Sequence, residues 1–255
     1  MRVGILGVGH LAATLVAGLL RSGLEPEHLR LSPRGRAQEL ANRYGLAIAA
    51  DNRGLVDSVE VVLLAVRPAD AARAVLGLPW REGQVVISAC AGVPLACLDV
   101  APARVVRAMP LTAAEINASP TACFPVLAEA VAVLERLGPV IALASEADFE
   151  VATVNAAVYG WAQDLIRRTT EWSVEQGPEA EAMRRLVALT FVAAGRLMAE
   201  KPEPMAQLLD ELVTPGGITE LGLDVLSAGG QPALWETACE AVLARLTSPR
   251  GGPAR

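Results

Sequence analysis

Gly7, Gly9 and Ala12 are the first residues whose types and spacing could do chemistry. They form G-x-G-x-x-A, Gly7-Val8-Gly9-His10-Leu11-Ala12, directly behind the apolar run Val3-Gly4-Ile5-Leu6. Gly7 permits a tight turn, and Gly9 lets a pyrophosphate approach the backbone. Ala12 lets a following helix pack closely on the strand. The free N–H groups of that helix start, at His10 and Leu11, then face phosphate oxygens. The pattern predicts dinucleotide binding; the alternative is a structural turn.

About 20 residues later an NAD-selective site would place an acid to accept the ribose hydroxyls. Here the strand Leu29-Arg30-Leu31 runs into Ser32-Pro33-Arg34-Gly35-Arg36, which has no acid. A hydroxyl and forked guanidinium groups suit a phosphate dianion. This predicts NADP(H), with Ser32 and Arg34 on the 2′-phosphate; the alternative is a basic surface turn.

A second constellation is Val213-Thr214-Pro215-Gly216-Gly217-Ile218-Thr219-Glu220, between two helical patterns. Two glycines before a helix leave backbone N–H groups accessible, a natural seat for a carboxylate. Thr214 and Thr219 add hydroxyls. An ordinary helix cap is the alternative.

What is missing narrows the chemistry. The only histidines are His10 and His28, and the only lysine is Lys201 in a Pro-flanked turn. A His–carboxylate relay or a buried Lys acid has no obvious source. A protonated C=N is already electrophilic and needs mainly positioning and exclusion of water. The residues therefore suit imine reduction better than carbonyl reduction.

These residues must be carried by two kinds of structure. Up to residue 144 strands and helices alternate. Strands are expected near Leu29–Ser32, Ala47–Ala49, Val61–Val66, Gln84–Ala89, Arg104–Ala108, Thr121–Phe124 and Pro139–Ala142, with helices at Arg36–Tyr44 and Pro68–Val75. That alternation predicts an α/β, doubly wound, Rossmann-type sheet. Over 145–247 strand signals stop, and helices are expected at Phe149–Thr170, Glu179–Glu200, Met205–Val213, Ile218–Leu226 and Ala233–Leu246. Apolar residues such as Leu186, Leu189, Val192 and Leu197 recur at helical spacing, so this all-helical part is expected to dimerise. The tail 248–255, rich in Gly and Pro, is expected to be disordered.

Composition fits an enzyme of 255 residues with net charge −6 and no basic cluster, which argues against nucleic acid. No uninterrupted apolar segment of about 20 residues appears, and no leader pattern precedes the glycine turn, so a cytoplasmic protein without membrane attachment is expected. Cys90, Cys97, Cys123 and Cys239 lack paired spacing and suggest neither a metal site nor a disulfide framework. Trp161, Trp172 and Trp235 read as core or interface anchors. Arg167, Arg168, Asp164 and Glu171 read as a solvated helix face, and Glu115 as an exposed loop acid.

The motifs in order resemble the pyrroline-5-carboxylate reductases over nearly the whole chain. Beside the glycine turn they are Ala65-Val66-Arg67-Pro68, Ser88-Ala89-Cys90-Ala91-Gly92-Val93, Arg107-Ala108-Met109-Pro110 and Thr214-Pro215-Gly216-Gly217-Ile218-Thr219. The resemblance implies an NADPH-dependent reductase that converts pyrroline-5-carboxylate to L-proline. It implies cofactor contacts at Ala65, Val66, Arg67, Pro68 and Ala89, and at Asn52 beside the ribose. It implies amides of Gly216, Gly217 and Ile218 on the substrate carboxylate, with the Thr219 hydroxyl near the ring nitrogen. It also implies a homodimer through the helical part, possible further assembly, and a site completed across the dimer. Two segments depart from the family. Leu111-Thr112-Ala113 stands for Asn-Thr-Pro, and Thr153-Val154-Asn155-Ala156-Ala157-Val158-Tyr159 keeps only the Tyr of Ser-Gly-Ser-Gly-Pro-Ala-Tyr. Asn155 thus becomes a candidate substrate contact. Reduction of a different imine, or a non-catalytic NADP-binding regulator, remain the alternatives.

Overall fold

The computed structural model describes residues 1–248, which fall into two compact units. One is Met1–Ala156 with the chain from Leu243; the other is Ala157–Val242.

The first unit opens with β1 (Val3–Leu6), α1 (His10–Arg21), β2 (Leu29–Leu31), α2 (Ala37–Tyr44), β3 (Ala47–Ile48), α3 (Asn52–Asp57) and β4 (Val61–Leu64). It continues with α4 (Ala71–Val75), β5 (Val85–Ser88), β6 (Arg104–Met109), β7 (Thr121–Phe124), α5 (Ala128–Leu134), β8 (Val140–Ala142) and α6 (Glu146–Thr153). The strands form one eight-stranded sheet in the order β3-β2-β1-β4-β5-β6-β7-β8. Every neighbouring pair is parallel except β6 with β7. The order 3-2-1-4-5-6 is that of a doubly wound dinucleotide-binding sheet. Its ligand crevice lies where the order reverses, between β1 and β4, at the carboxyl ends of the strands.

Period-two alternation sends the strand residues into two layers. Val3, Ile5, Leu31, Leu63, Ile87 and Val106 pack with Leu15, Leu19 and Val133 on one face. Leu6, Val62, Leu64 and Val86 pack with Leu55, Val75 and Trp80 on the other. A central strand buried on both faces reads as a continuous apolar run, as β4 does.

The all-helical part differs from the expected helices in one place. The stretch expected as a single helix over Phe149–Thr170 is two, α6 and then α7 (Asn155–Glu175). Ser145 accounts for the earlier start: its hydroxyl accepts the Asp148 N–H at 3.0 Å and caps α6. The break falls at Val154, whose N–H turns back to Val151 O at 3.1 Å. There follow α8 (Ala180–Glu200), α9 (Met205–Leu212), α10 (Ile218–Ala228) and α11 (Gln231–Thr247). The expectation for the tail lies, beyond Ser248, outside the described residues.

Candidate functional site

Three loops meet at the carboxyl edge of β1, β2 and β4. Gly7 takes φ +95°, and a Cβ there would stand 2.5 Å from Val66 Cγ1, so only glycine lets the first loop turn against the loop after β4. Gly9, the N-cap of α1, has no side-chain cap, and a Cβ there would meet nothing within 4 Å. The amides that open α1, from His10 onward, therefore have no intrahelical partner and border open space. Ala12 behind them is fully buried. Among the flanking residues His10 is exposed and Leu11 half-buried.

The β2 loop is tied to this turn twice. Gly7 donates its N–H to Ser32 Oγ at 3.0 Å, and Arg36 donates its N–H to Val8 O at 2.8 Å. Gly35 makes the second contact possible: at φ +74° a Cβ would stand 2.2 Å from Val8 O. Ser32 is buried. Arg34, held between these ties, is exposed and has no ion-pair or hydrogen-bond partner among the described residues. Arg36 is committed to Glu39 at 2.6 Å, and that hydrogen bond holds the Glu39 carboxyl below its usual range. The two cations of one short loop are thus different: one is neutralised and one is free.

A cleft of about 640 Å³ collects Gly7, Ser32, Arg34, Asn52, Val66 and Arg67. The sequence had marked each of these six for the cofactor. Ala65 and Ala89 continue the parallel pairing past the strand ends, with Ala65 N–H on Leu6 O and Ala89 N–H on Leu64 O, both at 2.9 Å. Pro68 starts the turn that leads into α4. Residues that sequence reasoning missed complete the cleft: Leu6, Asp70, Arg73, Ala74, Leu76 and Leu78. Asp70 receives both Arg67 at 3.0 Å and Arg73 at 2.7 Å. Leu76, 64% exposed, is an apolar wall whose only signal was its place directly after α4. A second cavity of about 560 Å³ shares Arg34 and Asn52 with the first and adds Pro33, Ala50, Asp51 and Arg53.

The fit to a dinucleotide can be judged from these features. Open amides at a helix start suit a pyrophosphate, and a free guanidinium with a serine hydroxyl suits a further phosphate.

Below the sheet edge, Arg107 of β6 is 1% exposed and sits between Glu146 at 2.9 Å and Glu150 at 2.7 Å. Its guanidinium stacks on Phe149 at 4.4 Å. Glu146 also accepts the Leu95 N–H at 2.8 Å. One buried cation therefore fastens α6 and the β5–β6 connection to the sheet.

In the second unit the Thr214–Glu220 loop makes the start of α10. Gly217 is the N-cap and donates its N–H to Thr214 O at 2.8 Å. Gly216 donates its N–H to Glu220 Oε2 at 2.6 Å. The amides of Ile218 and Thr219 keep no intrahelical partner. Ile218 is 92% exposed. One of the three amides assigned to a carboxylate, that of Gly217, thus closes the turn, and another, that of Gly216, already holds a carboxylate. Asn155 lies in the first unit, where its Nδ2 donates to Ala152 O at 3.1 Å.

The rest of the second unit is poorly buried. Within it only Val187 and Leu208 are buried apolar residues, while Leu186, Leu189, Val192 and Leu197 of α8 are each about half exposed. Trp161 and Trp235 make an edge-to-face pair at 5.3 Å in an apolar pocket of about 430 Å³. Arg167 and Arg168 pair with Asp164 and Glu171 along an exposed face of α7, and Glu115 is exposed. Among the described residues no three His, Cys, Asp or Glu side chains form a metal-binding group. No described helix is long and apolar enough to cross a membrane.

Two family models match the chain. One, described as NADP oxidoreductase coenzyme F420-dependent, matches residues 2–92. The other, described as pyrroline-5-carboxylate reductase dimerisation, matches residues 146–248. Pyrroline-5-carboxylate reductase of Pseudomonas aeruginosa is 27% identical, over 96% of this chain and 95% of its own. Pyrroline-5-carboxylate reductase 2 of Bacillus subtilis is 27% identical, over 88% and 86%. The solved 1-pyrroline-5-carboxylate reductase of Streptococcus pyogenes aligns with TM-score 0.83 at 25% identity, covering 98% of this chain and 99% of its own. With the strand order, the glycine turn and the Thr214–Thr219 loop in place, the chain is similar to pyrroline-5-carboxylate reductases over nearly its whole length, and residues 146–248 match their dimerisation domain.

Proposed function

We propose that this protein is an NADPH-dependent reductase of a small cyclic imino acid, with pyrroline-5-carboxylate reduced to L-proline. The observation that carries the reading is the cleft at the β1–β4 switch point with its free cation, Arg34, in a chain similar to these reductases.

The residues divide the work as follows. The amides at the start of α1, around Gly9, His10 and Leu11, hold the pyrophosphate, and Gly7 and Ala12 keep the turn close. Ser32 already accepts from Gly7, so its own hydroxyl proton is available to the 2′-phosphate beside Arg34. Asn52 takes the ribose. Ala65, Val66, Arg67, Pro68 and Ala89 border the cofactor along the strand ends. A reduced nicotinamide cofactor held by these residues would supply the hydride for the C=N carbon. The imine nitrogen enters protonated and becomes the ring amine, so no strong acid is required of the protein. Thr219 orients that nitrogen through its hydroxyl, and Thr214 borders the substrate. The substrate carboxylate goes to the Gly216 and Ile218 amides, Gly217 shaping the turn between them. For the Gly216 amide to serve, the Glu220 carboxylate must leave it. We place the enzyme in the cytoplasm as a homodimer whose second copy covers the half-exposed α8 leucines.

The test is NADPH oxidation with pyrroline-5-carboxylate beside a panel of cyclic and acyclic imines. Turnover of pyrroline-5-carboxylate is expected. The substituted segments Leu111–Ala113 and Thr153–Val158 favour a second reading, in which another imine is preferred. Tight NADPH binding with no turnover of any imine would instead make the protein a cofactor-binding regulator.

A further inference from the structure

We propose that Arg53 is a second cation for the cofactor's 2′-phosphate and, with Arg34, sets the preference for NADP(H) over NAD(H). The inference rests on the reading of the cleft as an NADP(H) site and adds a residue to it.

Arg34 and Asn52 line both the dinucleotide cleft and the second cavity of about 560 Å³. A group attached to the ribose beside Asn52 therefore enters that second cavity. Its remaining lining is Pro33, Ala50, Asp51 and Arg53, so its cations are Arg34 from the β2 loop and Arg53 from α3. A phosphate monoester carries about two negative charges at neutral pH, and one guanidinium leaves half of that uncompensated. Asp51 is the one acid in the lining, and its Oδ1 accepts the Gly54 N–H at 2.7 Å as the cap of α3. Arg53 is steadied by a neutral partner, its Nη1 donating to Gly77 O at 3.0 Å. That contact fixes the side chain without neutralising it and leaves most of its donors unused. Two arginines against one acid leave the cavity with a net positive charge, in the place where NADP(H) differs from NAD(H).

The experiment is calorimetric titration of the full chain with 2′-phospho-ADP-ribose and with ADP-ribose. R53Q is the main variant, because glutamine keeps a donor for the Gly77 carbonyl while removing the charge. R53K keeps the charge, R34A is the reference, and thermal melting checks that each variant is folded. R53Q is expected to weaken 2′-phospho-ADP-ribose about tenfold and ADP-ribose by less than about twofold, with R53K close to the parent. Equal losses for both ligands, or no loss, would overturn the role of Arg53. If R34A discriminates between the ligands and R53Q does not, this proposal alone fails. If the parent protein binds both ligands equally, the NADP(H) reading fails with it.

Discussion

The Gly7 amide and the Ser32 hydroxyl oxygen are 3.0 Å apart, and this one hydrogen bond joins the phosphate turn to the end of β2. Ser32 is buried, while Gly7 is half-buried and borders the cleft. Ser32→Ala should remove this hydrogen bond and cost about 0.5–1.5 kcal/mol of stability. It should also weaken NADPH more than NADH. Urea unfolding and cofactor titration would check both effects; an unchanged unfolding midpoint would refute the first.

Thr219 has a hydroxyl at the start of α10, where the proposed function places the imine nitrogen. Thr219→Ala should lower kcat by about tenfold or more, the loss of one well-placed hydrogen bond, while NADPH affinity stays unchanged. Thr219→Ser should recover much of the rate. Steady-state kinetics with pyrroline-5-carboxylate would decide, and a full-speed alanine variant would remove Thr219 from the reaction.

Glu220 holds the Gly216 amide at 2.6 Å, the amide assigned to the substrate. Glu220→Ala should lower KM for the imino acid several-fold, on the order of 1 kcal/mol, because a competing carboxylate is gone. A rise in KM would mean that the contact shapes the loop and does not compete with the substrate.

The buried Arg107 guanidinium lies between the carboxylates of Glu146 and Glu150, the first of them a third exposed. Arg107→Met removes it and leaves Glu146 and Glu150 facing each other, at a cost of about 3–5 kcal/mol. Chemical denaturation would measure the loss. A variant as stable as the parent would show that the two acids are relieved in some other way.

Burial pushes the Cys123 thiol up to about 11, whereas Cys97 is exposed. In the unfolded chain the thiol ionises near its ordinary value of about 8.5. Between those two values the unfolded state has lost a proton that the folded state keeps. Stability should therefore fall as pH rises through that window. Alkylation at pH 8 followed by peptide mapping should mark Cys97 and spare Cys123. Equal labelling would contradict the burial.

The sheet was legible in the sequence because each buried strand is a short apolar run next to a turn signal; Val61–Leu64 and Val85–Ser88 are the plainest. The helix boundary at Ser145 was missed because the break at Val154 removes no apolar residue from the pattern, and Ser145 alone marks the start of α6. In the site, Gly7, Ser32, Arg34 and Asn52 could be found from spacing or family motif, since each sits a fixed distance past a strand. Arg53, Arg73 and Leu76 could not. Arg53 lines the second cavity, and Arg73 and Leu76 the cleft, through the packing of α3 and α4 against the sheet, which no local pattern encodes. The partner of Gly216 was equally hidden: the sequence shows free amides and an acid four residues on, but not that the acid folds back.

The half-exposed leucines of α8 make protein concentration a variable of the fold itself. If a second copy is what covers Leu186, Leu189, Val192 and Leu197, then dilution acts on this protein as a denaturant does. Each tenfold drop in concentration would weaken the assembled state by about 1.4 kcal/mol per dimer. Melting temperature would climb with concentration, and the amount of enzyme a cell makes would govern the activity of each molecule as well as the number of molecules.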